Sequence, residues 1–309
     1  MEPTVAEVQE QPAITPSGNA SASRSSNRAE DAAVAPQACG TCGAAAAAGG
    51  GTAVATWVYA LGNIEVRFPS MSVEKEFAQA TGREKTTGLT DRQALHAVLS
   101  KPENRYLVRQ LCFVLTIEGL ETYLLRPHDP VDLSMLVEAI RPNPSSLDLD
   151  VVIGVKGPIA PPEMCNGLMV PIVVFDQIYS FDRDTLIKAI PKPEKTSAKE
   201  FSAAADELFD RILQMTDNAG ATDAHRVLNY LVVRYPAIYA KTAECFAQNS
   251  SLSAVEVQGS ALSGVRKVLE VIFCYTNRNT DVVEKWFVRV DGTDEFPFLV
   301  TKLSPYFDR

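Results

Sequence analysis

No aromatic residue precedes Trp57 in this chain. The gap limits what can fold, because residues 1–55 are mostly Ala, Ser, Gly, Pro, Glu and Asn. Such a segment cannot bury enough apolar surface to offset the entropy of ordering its backbone. Residues 1–55 are therefore expected to form a disordered arm, with the fold beginning near Trp57. Ala44 to Ala48 are helix formers, but Gly43 and Gly49 flank them, and so short a helix is marginal in water.

The arm holds the sharpest local motif, Cys39-Gly40-Thr41-Cys42-Gly43. A C-x-x-C turn brings two thiolates close enough to share a metal or to form a disulfide. It is half of a zinc site. A closed tetrahedral site needs two more ligands, and Cys112, Cys165, Cys245, Cys274, His96, His128 and His225 form no second pair of matching spacing. Zinc held by Cys39 and Cys42, thiol chemistry, and an incidental pair in a flexible tether all stay open. The βαβ context of a thioredoxin-like site is missing.

The arm carries five acidic and two basic residues, leaving 33 acidic and 27 basic in the body of a chain with net charge -9. An acidic body without a Lys/Arg run is a poor footprint for nucleic acid. The acidic, polar start does not read as a secretory signal, and no apolar run reaches the roughly 18 residues of a membrane span. Six cysteines at irregular spacing argue against a disulfide framework. A cytoplasmic protein with no membrane partner is expected.

From Trp57 the pattern alternates. A β-prone run over residues 57–64 precedes a helix from Ser72 to about Ala80. Thr90, with Gln93 three residues on, forms a capping box before the helical face Ala94, Leu95, Val98, Leu99. Leu111, Phe113, Leu115 and Ile117 share one strand face, and Glu118-Gly119 turns the chain into a hairpin partner over residues 122–125. Pro130 opens a helix with the stripe Leu133, Leu136, Val137, Ile140. Strands follow at residues 150–155 and 169–175. The proline-punctuated Pro191-Lys192-Pro193-Glu194-Lys195 then marks a boundary between subdomains 56–195 and 196–309.

Beyond it come a helix over residues 201–215 and another from Asp223 that Pro236 should kink or divide. Strands are expected at 252–257, 265–275, 282–290 and 298–303. The fold class is α+β: a mixed α/β N-terminal part, then helices followed by an antiparallel sheet.

Chemistry is sparse. Cys165 lies in the loop residues 157–167, where a thiol could be exposed and reactive, or a small buried apolar residue. Cys112, Cys245 and Cys274 read as core. No spacing joins His96, His128 or His225 to a nucleophile and an orienting carboxylate. Walker, G-x-S-x-G, H-E-x-x-H and dinucleotide motifs are absent from the sequence. Residues 275–281 read as a polar turn or as a recognition loop in which Asn277, Arg278 and Asn279 meet a peptide, with Arg278 on a carboxylate.

Trp57-Val58-Tyr59-Ala60-Leu61-Gly62 resembles the opening of the domain of unknown function that closes the PatA and PatG type cyanobactin maturation proteases. Val73-Glu74-Lys75-Glu76-Phe77, Pro161-Pro162-Glu163-Met164-Cys165-Asn166-Gly167 and Tyr275-Thr276-Asn277-Arg278-Asn279-Thr280-Asp281 resemble its standalone relatives, as does the end at residues 299–306. The similarity spans about Trp57 to Arg309.

The resemblance implies work in maturing ribosomally synthesised, modified peptides (RiPPs). The Asp, His and Ser motifs of the fused subtilisin-like protease are missing here, and the resemblance supplies no catalytic residue. It implies a non-catalytic accessory protein that binds a precursor peptide, with Cys165, Asn166, Asn277, Arg278 and Asn279 as candidate contacts. A scaffold for RiPP maturation enzymes or a homodimer is a second implication. A cysteine- or zinc-dependent enzyme using Cys165, or Cys39 and Cys42, is the alternative.

Overall fold

The computed structural model describes residues 56–83, 89–190, 197–213 and 217–307. The arm with Cys39 and Cys42, and the stretch of residues 191–195, lie outside the described residues. The body is α+β.

Strand β1 (Trp57–Arg67) opens the fold and changes partner halfway along. After it come α1 (Met71–Arg83), α2 (Asp91–Leu99), a 3-10 turn at Pro102–Asn104, α3 (Arg105–Gln110), β2 (Cys112–Ile117) and β3 (Leu120–Pro127). Next are α4 (Leu133–Ala139), β4 (Asp148–Ile159) and β5 (Pro171–Asp182). Residues 57–62 of β1 pair with β4, and residues 63–67 pair with β2. The switch falls at Gly62, where a Cβ would strike the Thr116 carbonyl. Only glycine admits that approach.

Pairing β3 with β5 in parallel closes the barrel β1-β2-β3-β5-β4. Closure and the parallel pair go beyond the mixed α/β expectation. The hairpin at Glu118-Gly119 forms as the sequence predicts, with both residues at positive φ. The capping box forms too: Thr90 Oγ1 accepts from Gln93 N at 3.3 Å, and Gln93 Oε1 accepts from Thr90 N at 3.1 Å.

The chain continues through α5 (Arg183–Ala189), α6 (Ala198–Leu213), α7 (Asp223–Arg234) and α8 (Ala237–Ala247). Pro236 divides α7 from α8 as its ring and missing N–H require. The last strands are β6 (Ser250–Gly259), β7 (Val268–Asn277), β8 (Val283–Asp291) and the short β9 (Phe298–Leu299) and β10 (Ser304–Pro305). They make an open antiparallel sheet in the order β10-β8-β7-β6, with β9 also on β8.

The first half of β1 is buried on both faces. Val58 and Ala60 join a core with α1 to α4, while Tyr59 and Leu61 join a second core with α6, α7, α8 and the open sheet. That second core draws residues from both sides of the stretch at 191–195. Gly220, at φ +67, sits so close to β1 that a Cβ would strike the Tyr59 carbonyl, and its own carbonyl accepts from Tyr59 N at 2.9 Å. Among the described residues no helix is long and apolar enough to cross a membrane.

Candidate functional site

A closed barrel has no strand edge, so the edges of this protein belong to the open sheet. β6 ends that sheet, and among the described residues it pairs with β7 alone. Its ten residues, Ser-Ser-Leu-Ser-Ala-Val-Glu-Val-Gln-Gly, contain one charge, Glu256, and neither Lys nor Pro. Those are the residues that usually discourage a further strand. A bulge between Leu252 and Ala254, and a 3.0 Å hydrogen bond from Arg211 Nη2 to the Leu252 carbonyl, occupy the first part of the edge. Residues 254–259 carry no such device.

The two faces of β6 are fixed. Val255 and Val257 pack against the core, and Glu256 and Gln258 are exposed. Beside them Glu270 of β7 is hydrogen-bonded to Arg289 Nε at 2.7 Å and to Ser260 Oγ at 2.9 Å. Burial works against its charge, but these donors hold the carboxyl below the ordinary range.

At the start of β6 lies the turn singled out in the sequence. Asn277 Oδ1 accepts from Asn279 N at 3.0 Å and from Thr280 N at 3.2 Å, while Asp281 takes φ 55. These contacts make Asn277 the pin of the turn. Arg278 N donates to Asn249 O at 2.9 Å, and the guanidinium lies 4.8 Å over the Phe246 ring. Ser250, the first residue of β6, pairs with Asn277. Arg278 is exposed, and among the described residues no carboxylate pairs with it. A cation therefore stands beside the start of β6, on the other side of the occupied stretch from residues 254–259.

Cys165 and Asn166 are elsewhere, in the connection between β4 and β5. Asn166 (φ 47) and Gly167 (φ 86) close a tight turn, with Gly167 N donating to Pro162 O at 2.7 Å. Cys165 is fully buried and forms a disulfide with Cys112 of β2, with Cα atoms 6.0 Å apart. The exposed-thiol reading is corrected by this bond, since a disulfide sulfur offers no thiolate. Cys112, read as packing alone, also has a covalent role. Cys245 and Cys274 are buried, as expected of core residues. The structure therefore gathers Asn277, Arg278 and Asn279 in one turn and leaves Cys165 and Asn166 on the other sheet.

One group escaped the sequence reading. His128, just past β3, places Nδ1 2.6 Å from Asp176 Oδ1 on β5. Glu295, from the loop after β8, is close enough to the same aspartate to feel its charge, and its Oε1 is buried with no hydrogen-bond partner among the described residues. Burial, then the charge of Asp176, push the Glu295 carboxyl up to about 7. The Asp176 hydrogen bond and charge hold the His128 imidazole above its usual range.

Beneath them Arg226, almost fully buried, donates to the carbonyls of Gly292 at 2.9 Å and Glu295 at 3.0 Å, and to Asp294. It fixes the loop that carries Glu295. Glu295 can therefore take up or release a proton near neutral pH beside the His128 imidazole. No local motif announces the group, because three distant segments supply it. Among the described residues no set of three or more His, Cys, Asp or Glu is arranged to hold a metal ion.

No curated protein matches the sequence. Among solved structures, a chain titled "PatG Domain of Unknown Function" superposes with a TM-score of 0.63 at 18% identity, covering 81% of this chain and 98% of that one. That likeness concerns the fold. The family model described as PatG Domain matches residues 57–265, a span that includes the whole barrel, the helical layer and β6. The chain belongs to the PatG domain family.

Proposed function

We propose that the protein is a non-catalytic accessory protein of ribosomal peptide maturation that binds an extended precursor peptide as an added strand on β6. The observation that carries this reading is the edge at residues 254–259, with which no described strand pairs, together with the exposed Arg278 beside the start of the same strand. Main-chain hydrogen bonds along such an edge give affinity for any extended segment, and flanking groups select among them. Arg278 would favour a peptide with a carboxylate at the matching end. Membership of the PatG domain family ties the chain broadly to the cyanobactin pathway.

The test is direct binding of a synthetic precursor peptide, read by fluorescence anisotropy and mass spectrometry together. Saturable binding with the peptide's mass unchanged is expected. N-methylation of alternate backbone nitrogens in the peptide should abolish binding, because the side chains stay and only the ladder donors go. Arg278→Glu should weaken binding about ten-fold, the scale of one charge-assisted contact. A changed peptide mass would overturn the non-catalytic reading. Indifference to N-methylation would remove β6 as the site.

A further inference from the structure

The ladder between β6 and β7 fixes which backbone groups of β6 face the open side. β7 is anchored at both ends: Ser260 N donates to Val268 O at 2.9 Å, and Arg278 N donates to Asn249 O at 2.9 Å. In an antiparallel pair every second residue turns its N–H and C=O to the partner strand, so the even-numbered residues of β7 face β6. Their partners are Ala254, Glu256 and Gln258, opposite Cys274, Ile272 and Glu270. Val255, Val257 and Gly259 therefore turn their backbone groups to the open side.

The side chains along this stretch differ by face. Val255 and Val257 pack against the second core and stay half-buried, with no described strand beyond them. Glu256 lies between them on the other face, exposed, and it is the one charge of β6. Its neighbour across the ladder is the apolar Ile272, and the Cys274 thiol, a weak donor, is 3.9 Å from its Oε1. Among the described residues no cation stands within ion-pair distance of Glu256. The nearby Glu270 already has Arg289, so an unmatched carboxylate sits midway along the open edge.

We propose that the peptide segment received by β6 reads apolar–basic–apolar, with its Lys or Arg directly opposite Glu256 and its apolar neighbours opposite Val255 and Val257. The segment adds antiparallel, as every pairing in the open sheet already runs. This inference rests on the reading of β6 as the binding edge. In that register the two apolar residues exchange main-chain hydrogen bonds with Val255 and Val257, and their side chains cover the valines. The basic residue faces Glu256 across the closer, non-hydrogen-bonded pair, with Cα atoms about 4.5 Å apart. An acidic residue there is repelled, which gives the edge a means of refusing the wrong segment.

The experiment titrates the full chain, at low ionic strength, into dye-labelled Ser-Thr-Val-Lys-Val-Thr-Ser and its counterpart with Glu in place of Lys, read by fluorescence anisotropy. The lysine peptide should bind about ten-fold more tightly than the glutamate peptide, and Glu256→Lys should reverse the order. Glu256 is exposed, so the variant keeps the fold. N-methylation of either valine nitrogen should abolish binding. N-methylation of the lysine nitrogen, which points away from β6, should leave it unchanged.

Sensitivity to valine methylation with equal affinity for both peptides, or an order that Glu256→Lys does not reverse, would overturn this inference and leave β6 as the binding edge. Loss of binding on lysine methylation with the valines tolerant would overturn the antiparallel register. No saturable binding by either peptide, or indifference to every methylation, would overturn both this inference and the reading on which it rests.

Discussion

Glu295 and His128 make the stability of this protein depend on pH in one sense. Both groups hold their proton more tightly when folded than when unfolded, Glu295 up to about 7 and His128 above its usual range. The folded state therefore binds more protons than the unfolded state through this interval, so their contribution is complete in acid and fades as pH rises. For Glu295 the loss runs from the ordinary carboxyl range to about 7. Melting temperatures measured from pH 5 to pH 8 should fall through this term, and Glu295→Gln should flatten the profile. A variant with the same slope as the parent would show that the proton sits elsewhere. The capping box at Thr90 was legible because its partners are three residues apart, whereas His128, Asp176 and Glu295 meet only after β3, β5 and the β8 loop are in place. Sequence spacing holds no trace of such a meeting.

At the scale of elements, strands and helices with a strong period or a clear cap were readable, the seven-residue α4 behind Pro130 among them, while the similarly short α3 and α5 went unread. Residues 275–281 read as a polar turn, and the structure starts that turn at Asn277 with Tyr275 and Thr276 still in β7; its place against α8 depends on β6 pairing with β7. The bridge between Cys112 and Cys165 was hidden for a related reason, since scattered cysteines reveal no pairing until β2 lies beside the β4–β5 connection. Closing a loop of 53 residues restricts the unfolded chain. The double variant Cys112→Ala/Cys165→Ala should accordingly lose about 2–4 kcal/mol of stability. Urea unfolding of parent and variant checks this, and coincident midpoints would mean that the bridge does not constrain the unfolded state.

For the whole molecule, fold class was legible and closure was not. Alternation identifies strands and the late helices precede the late strands, but nothing local says that β3 and β5 run parallel and seal a barrel. Binary patterning also leaves open which faces share a core. The answer lies in β1, whose alternate residues serve two cores, one of them reaching from the barrel through α6 to α8 into the open sheet. Segments on either side of residues 191–195 that share a core should melt together. Calorimetry of the full chain is expected to show one cooperative transition for the body, and residues 56–195 expressed alone should lack protected amides in β1. Two separated transitions would mean that the shared core is energetically weak.

The placement of β1 also sets a timetable for biosynthesis. Its Tyr59 carbonyl accepts from Asn229 Nδ2 at 2.8 Å, 170 residues downstream. At ribosomal speeds of about 5–20 residues per second, the nascent strand waits roughly ten to thirty seconds for that partner. Through that interval the face of β1 that bears Tyr59 and Leu61 lacks the helices that cover it in the folded protein. Newly made chains should therefore engage a holding chaperone early and be released only after α7 has emerged.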